Sequence, residues 1–240
     1  MATIAQISDI HIGGDYERFD THANFEKVID DIKKRNIDYL VITGDLADDN
    51  YEENYRWIKK KLNKLGKQYF ILNGNHDNNE VLRQVFGDYY FGGDNYRNGP
   101  SLLFLDTSSG YITEDQLCAI YNNDIVFTHF PIIPVEHKFM NKCHSLILKG
   151  YEDEQSSSYS IKRRLENRGI ENVTIFCGHY HFDNFKYINK KSVQQFVCPS
   201  TQAQLDSCSD ELKISCLNPA YRIIRVSYDW ELETEVIYLQ

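Results

Sequence analysis

The sequence predicts an α/β fold. Two observations carry this prediction: short apolar runs alternate with helically spaced apolar residues in the first half of the chain, and hairpin signals follow in the second half. The 240 residues, 42% of them hydrophobic and only 5 of them proline, can bury a sizeable core. Alternating α/β chains of this length commonly form one domain. We therefore expect a single domain over residues 1–240.

The first half of the chain carries a parallel-sheet signal. Short apolar runs typical of buried strands alternate with two segments whose apolar residues recur at helical spacing. This βαβαβ order predicts a largely parallel sheet. The predicted strands cover residues 3–7, 39–42 and 69–72, and the predicted helices cover residues 25–32 and 51–65.

The second half predicts further strands and then hairpins. Strands are expected at residues 102–105, 125–128 and 173–176, with helices near 114–121 and 160–168. Hairpins are expected over 184–197, with the turn at 189–190, and over 221–238 around Asp229. These hairpins favour a second, mostly antiparallel sheet. The polar stretches 135–158 and 206–218 are long enough to be functional loops.

Charge and hydropathy exclude several classes of function. The net charge of −9 disfavours general binding to nucleic acids and to anionic lipid. No apolar run approaches the roughly 18 residues of a membrane helix, and Met1 leads almost directly into an alternating strand pattern. We therefore expect a soluble, cytoplasmic protein that binds no membrane. The sequence leaves the oligomeric state open, a homodimer included.

The six cysteines show no C-x-x-C spacing, and two of them lie inside strand-like apolar runs. Reduced structural thiols are the favoured interpretation. The alternative is a cluster of Cys198, Cys208 and Cys216, oxidised or bound to zinc, but nothing in their spacing supports it.

Five short polar clusters each follow a predicted strand. Residues just past the carboxyl ends of parallel strands converge on one crevice, which is the usual place for a ligand site. Glycines in three of the clusters allow the sharp turns that such convergence needs. The clusters are Asp9-Ile10-His11, Gly44-Asp45, Gly74-Asn75-His76-Asp77, Thr128-His129 and Gly178-His179-Tyr180-His181.

The clusters bring together imidazole, carboxylate and amide groups, without cysteine or arginine. This donor set suits Mn, Fe, Co, Ni or Zn and fits an all-oxygen calcium site poorly. In an extended segment, residues i and i+2 point to the same side, so the D-x-H and H-x-H spacings predict paired ligands. One ion could not use seven ligands, whereas two ions bridged by one carboxylate could.

In chain order the clusters read D-x-H, G-D, G-N-H-D, H and G-H-x-H, a set that resembles the calcineurin-like metallophosphoesterase superfamily from Asp9 to His181. The segments C-P-S-T at 198–201 and N-P-A-Y-R at 218–222 resemble the C-terminal region of class III cyclic-nucleotide phosphodiesterases. This resemblance implies two stacked mixed β-sheets flanked by helices, an αββα sandwich with a dinuclear site at the strand ends. Members of that branch often have a second histidine where Phe130 stands and a glycine where Ala220 stands.

The resemblance also implies roles for the site residues. Asp45 would bridge two transition-metal ions, divalent or trivalent, with Mn, Fe or Zn favoured. His76 would face the substrate without binding metal. The implied ligands are Asp9, His11 and His181 for the first ion and Asn75, His129 and His179 for the second.

The implied chemistry is hydrolysis of a small phosphoester. Two cations about 3.5–4 Å apart can deliver a bridging water as hydroxide for in-line attack on phosphorus. His76 could then protonate the leaving oxygen. Asp77 could orient that imidazole, or could instead be a helix N-cap.

We expect a phosphodiesterase for a substrate such as 3′,5′-cyclic AMP. The alternatives are a phosphomonoesterase or nucleotide pyrophosphatase built on the same site and a non-catalytic interaction module.

Overall fold

Two five-stranded sheets form the centre of the protein. The structure, a computed structural model, describes residues 1–49, 51–91, 102–121, 123–143, 146–150, 154–167, 172–188, 193–229 and 231–240. The first sheet has the strand order β14-β13-β1-β2-β3. Its strands are β1 (Ala2–Ile7), β2 (Tyr39–Thr43), β3 (Gln68–Leu72), β13 (Ala220–Val226) and β14 (Leu232–Tyr238).

Three helices cover the outer face of this sheet. They are α1 (Thr21–Lys33), α2 (Glu52–Leu65) and α3 (Asn79–Phe86). Asp20 caps α1 by accepting from two backbone amides, and α2 ends at Gly66, whose left-handed backbone suits glycine. The apolar stripes of these helices pack on the sheet in one core cluster. The predicted βαβαβ unit is therefore confirmed, and α3 is an addition.

The second sheet is mostly parallel, so the prediction of a mostly antiparallel sheet was wrong. In its strand order, β4-β6-β8-β10-β9, only β9 and β10 pair antiparallel. The reason is that the two predicted hairpins join different sheets: β13 and β14 extend the first sheet beside β1. The strands are β4 (Leu102–Leu105), β6 (Ile125–Thr128), β8 (Val173–Cys177), β9 (Asn184–Ile188) and β10 (Val193–Val197).

Short elements occupy the stretches that the sequence left as loops. Within 135–158 the structure has α5 (Met140–Cys143), β7 (Ile147–Leu148) and the start of α6 (Glu154–Asn167), which begins earlier than predicted. Within 206–218 lies β12 (Ile214–Cys216), paired with β11 (Gln204–Leu205). The remaining elements are β5 (Tyr111–Ile112) and α4 (Glu114–Ile120). The predicted turn at 189–190 and the last residue of the predicted helix, Arg168, lie outside the described residues.

A ladder of phenylalanines fills the space between the sheets. Phe104, Phe127, Phe176 and Phe196 lie on neighbouring strands of the second sheet, with successive ring centroids 5.4–5.5 Å apart. Phe70 of the first sheet packs against Phe104 at 5.3 Å. Because α4 and α6 cover the outer face of the second sheet, the layers run helix, sheet, sheet, helix. The predicted fold class is confirmed.

The cysteines whose side chains are described all have free thiols, and Cys198 is buried whereas Cys208 is exposed. Burial raises the pKa of the Cys177 thiol well above its usual value, as expected of an unreactive structural cysteine. No helix in the described ranges has the length and apolar character needed to cross a membrane.

Candidate metal centre

All the predicted site residues lie at one edge of the two sheets. Asp9 and His11 follow β1, Asp45 follows β2, and Asn75 and His76 follow β3. The second sheet contributes three more histidines from the ends of β6 and β8. These are His129, His179 and His181. Both sheets therefore present their carboxyl ends to the same crevice.

The backbone at this edge is strained. Among the described residues, the non-glycine positions with left-handed φ are Asn172 and five positions of the predicted site. Each such residue costs about 1 kcal/mol or more, so the surrounding contacts must impose the conformation. The expectation of extended D-x-H and H-x-H segments was wrong, because left-handed turns aim these side chains. The five are Asp9, His11, Asp45, His179 and His181.

Two glycines permit the close approach of the turns. Gly44 has φ 96°, and a Cβ there would lie 2.6 Å from His129 Nδ1. A Cβ on Gly74 would lie 2.4 Å from the backbone nitrogen of Asp45. Since real Cβ atoms do not approach other atoms so closely, only glycine fits at either position without displacing the site.

The first group of possible metal donors consists of Asp9, His11 and His181. His181 Nε2 lies 3.4 Å from Asp9 Oδ1 and 3.1 Å from His11 Nε2. Two donors held about 2.1 Å from one tetrahedral cation would lie about 3.4 Å apart. The observed spacings therefore suit ligands of a single ion.

The second group consists of Asp45, His129 and His179. His129 Nε2 lies 3.3 Å from Asp45 Oδ2 and 3.2 Å from His179 Nδ1. Asn75 Oδ1 is 3.0 Å from the same nitrogen of His129. Asp45 Oδ2 is also 3.7 Å from His11 Nε2 in the first group. One carboxylate thus lies between the two groups.

Hydrogen bonds to the backbone fix these side chains. His129 Nδ1 donates to the carbonyl oxygen of Thr43 at 2.7 Å, which turns Nε2 towards Asp45. Both carboxylate oxygens of Asp9 accept from the His179 amide at 3.1 Å, and Asp45 Oδ1 accepts from the His76 amide at 2.9 Å. Partners of this kind orient metal ligands and fix their tautomers.

Asp48 is a site residue that the sequence analysis missed. Its Oδ1 lies 2.5 Å from His11 Nδ1 and 3.0 Å from His76 Nδ1, so it joins the first donor group to the exposed histidine. The signal available was the position of Asp48 in the polar segment that follows Asp45. The side chain of His76 is 45% exposed, whereas the imidazoles of His11 and His129 are buried.

Asp77 has neither of the roles considered from sequence. Asn78 caps α3, and Asp77 instead accepts from backbone amides, among them Leu46 at 2.9 Å and Gly74 at 2.9 Å. Burial and the nearby Asp45 raise the pKa of Asp77 to about 7. Asp77 therefore joins the turn after β2 to the turn after β3.

Carboxyl and imidazole groups in the centre shift each other's pKa values. Burial opposes ionisation of Asp9 and Asp45, yet the imidazoles beside them hold the pKa of both carboxyls below the usual value. Burial also disfavours charge on His11 and His129, but the neighbouring carboxylates raise the pKa of each imidazole to about 9. The centre thus favours positive charge, and metal ions could replace these protons.

The segments 198–201 and 218–222, which resemble class III cyclic-nucleotide phosphodiesterases, contact the backbone around the centre. Ser200 Oγ donates to the carbonyl oxygen of Asp9 at 2.9 Å, and Thr201 Oγ1 donates to the same oxygen at 3.1 Å. Arg222 is buried and binds Asp183 and the carbonyl oxygen of Val197.

Phe130 stacks on the ring of His179, with centroids 3.9 Å apart. An aromatic ring at this position therefore packs a proposed ligand into place. Phe130, which stands where that branch often has histidine, therefore has a structural role.

Stacked mixed sheets with paired His/Asp donor groups at their strand ends are typical of metal-dependent phosphoesterases. The model of the calcineurin-like phosphoesterase family matches residues 2–187, and the chain belongs to that family. Members are metal-dependent phosphoester hydrolases with dinuclear centres. The family resemblance read from the sequence is confirmed.

Known relatives agree with this assignment. A protein of Fibrobacter succinogenes named a probable cyclic nucleotide phosphodiesterase is 32% identical over 253 residues, covering 98% of this chain and 93% of the relative. A 3′,5′-cyclic adenosine monophosphate phosphodiesterase of Vibrio vulnificus is 23% identical, covering 97% and 88%. The crystal structure of a dimetal phosphatase from Danio rerio has a TM-score of 0.55 at 13% identity, covering 99% and 98%. This last likeness shows the fold alone.

Proposed function

We propose that this protein is a phosphodiesterase that hydrolyses small diesters such as 3′,5′-cyclic AMP at a two-metal centre. The observation that carries the proposal is the pair of adjacent donor groups with Asp45 between them. The relatives named as cyclic nucleotide phosphodiesterases support the choice of substrate class. The free thiols favour a reducing compartment, in line with a cytoplasmic enzyme.

The donor groups suggest a definite assignment of ligands. Asp45, which lies within 3.7 Å of a donor nitrogen in each group, would bridge the ions. Imidazole and carboxylate donors suit Mn, Fe or Zn. The proposed ligands are Asp9, His11 and His181 for one ion and Asn75, His129 and His179 for the other.

When bound, the two ions would supply an activated water and would neutralise charge on the phosphoryl oxygens. The remaining steps fall to side chains of this chain. Asp48 holds His76 through Nδ1, which leaves Nε2 as the ring nitrogen available to the substrate. The bond to Asp48 raises the pKa of His76 and so favours the form of the ring that carries the proton. His76 would give that proton to the leaving oxygen as the bond to phosphorus breaks.

The lining of the crevice favours diesters over monoesters. Among the described residues that line it, none is lysine or arginine. A monoester carries a second negative charge that would meet Asp45 and Asp48, with no lysine or arginine among these lining residues to offset it. A diester carries only one charge.

Steady-state kinetics with Mn²⁺ at one pH tests the proposal. The ratio of kcat/KM for bis(p-nitrophenyl) phosphate to that for p-nitrophenyl phosphate should exceed one, and so should the ratio for 3′,5′-cyclic AMP to 5′-AMP. Asp9→Asn should abolish both activities, whereas Asp229→Asn, in the turn between β13 and β14, should leave them unchanged. If monoesters were preferred in both pairs, the chain would be a phosphomonoesterase instead.

A further inference from the structure

A cavity of about 330 Å³ opens beside the proposed metal centre. The centre and His76 form one side of it. The other side consists almost wholly of apolar side chains from four stretches of the chain: 16–19, 139–140, 203–205 and 212–214. These side chains are Tyr16, Phe19, Phe139, Met140, Ala203, Leu205, Leu212 and Ile214.

The first of these segments presents two stacked aromatic rings. The rings of Tyr16 and Phe19 lie 4.8 Å apart at an angle of 18°. The hydroxyl group of Tyr16 donates to Asp48 Oδ2 at 2.9 Å, and this bond holds the ring beside the proposed metal centre. Tyr16 nevertheless remains 37% exposed, so its ring is open to a ligand in the cavity.

The segment after β11 presents a second apolar surface at the mouth of the cavity. Leu212 is 65% exposed, although it lies in an otherwise polar stretch. Leu212 lines the cavity together with Leu205 and Ile214, and an apolar rim next to a charged centre is typical of a binding site.

The apolar wall offers little that could read hydrogen bonds. Among the described residues of this wall, the amide side chain is Gln202, and its hydrogen bonds are made elsewhere: Nε2 donates to the carbonyl oxygens of Ile10 and Thr21, and Oε1 accepts from Asn24. The described side chains of this wall therefore favour recognition by stacking and apolar contact.

We propose that this wall is a subsite for the flat base of a monoanionic nucleotide diester, with Tyr16, Phe19 and Leu212 as contact residues. The inference rests on the proposed phosphodiesterase function and adds a specificity to it. The enzyme selects substrates by the flat group beside the phosphate, and it does not distinguish adenine from guanine.

Calorimetric titration of the Mn²⁺-loaded full chain separates the contribution of the base to binding from that of the phosphate and sugar. The probes are 5′-AMP, 5′-GMP and ribose 5-phosphate, which share the phosphate and sugar and differ only in the base. We expect 5′-AMP to bind about 5- to 20-fold more tightly than ribose 5-phosphate, the lower part of the range for base–aromatic stacking. The affinities for 5′-AMP and 5′-GMP should agree within about threefold.

Variants assign the effect to this wall. Tyr16→Ala and Leu212→Ser should each reduce the preference for 5′-AMP over ribose 5-phosphate by at least about threefold. Both residues are exposed, so these variants should fold, and thermal unfolding checks that they do. Tyr16→Phe keeps the ring and should keep the preference. Tyr228→Ala, at the far end of the molecule and 89% exposed, is the matched control.

Equal affinity of the parent protein for 5′-AMP and ribose 5-phosphate would overturn the subsite, even if diesters were hydrolysed. So would an unchanged preference in both Tyr16→Ala and Leu212→Ser. A tenfold difference in affinity between 5′-AMP and 5′-GMP would overturn the inference that the subsite does not distinguish adenine from guanine. A retained preference without any hydrolysis of diesters would support the subsite and overturn the proposed function.

Discussion

Replacing His76 with alanine removes the proposed proton donor while leaving every proposed metal ligand in place. The side chain of His76 is 45% exposed and bonds to Asp48, and only its backbone amide bonds to the carboxylate of Asp45. Alanine keeps that amide. We therefore expect His76→Ala to fold, to retain its metal and to lose turnover.

The structure sets the size and the substrate dependence of the loss. A free imidazole is about one-quarter protonated at pH 7, and the 3.0 Å bond to Asp48 raises the pKa of His76 and hence this fraction. A general acid in this state contributes about 10²–10⁴ in rate. That loss should appear with 3′,5′-cyclic AMP, whose leaving alkoxide needs a proton. With bis(p-nitrophenyl) phosphate it should be below about tenfold, because nitrophenolate leaves unaided.

The assay compares kcat for the two substrates in the parent, His76→Ala and Asp48→Asn, with metal content measured on each. Asp48→Asn removes the charge that raises the pKa of His76, so the fall of kcat with rising pH should begin at a lower pH. His22→Ala is the control, since the His22 side chain is 44% exposed and lies on α1. Equal losses on both substrates would refute proton donation and leave His76 a role in positioning phosphate.

Three further outcomes are expected. Asp45→Ala should lower the metal content from about two ions per chain to less than one, as measured by elemental analysis against Asp229→Asn; an unchanged content would contradict the bridge. Gly74→Ala should lower the free energy of unfolding by about 1–3 kcal/mol in urea titrations, because its Cβ would lie 2.4 Å from backbone of Asp45. In the metal-free protein the pKa of both His11 and His129 is raised to about 9, so their contribution to stability should be complete below about pH 6.5 and vanish as the pH rises through 9. Urea unfolding with a chelator at pH 6, 7.5 and 9.5 measures this loss, and a flat profile would count against it.

The location of the centre could be predicted because it depends on topology alone. Each polar cluster follows a run of apolar residues that can only be a buried strand, and parallel strands present their ends to one edge. The positions of Asp9, Asp45 and His129 follow from this rule without knowledge of the packing. The same rule could not tell that β1 to β3 and β6 to β8 belong to different sheets, because the apolar pattern of a strand does not indicate which strands pair with it.

The features that escaped prediction depend on contacts between distant segments. The left-handed conformations of Asp9 and Asp45 are local strain that long-range packing imposes, so the sequence carries no signal for them. Asp48 is one carboxylate among many until His11 and His76 are brought beside it. Asp77 likewise binds backbone amides of a turn some thirty residues away.

The proposed centre joins the two sheets, and this links metal binding to stability. Each donor group combines residues of both: Asp9 and His11 with His181, and Asp45 with His129 and His179. Elsewhere the sheets are held by apolar packing such as the phenylalanine ladder. Ions bound in this way require the native spacing of the sheets, so they stabilise the folded state, by about 2.7 kcal/mol at a concentration of 100 times Kd. A mutation that loosens the ladder should for the same reason weaken metal binding, although no ring of the ladder belongs to either donor group.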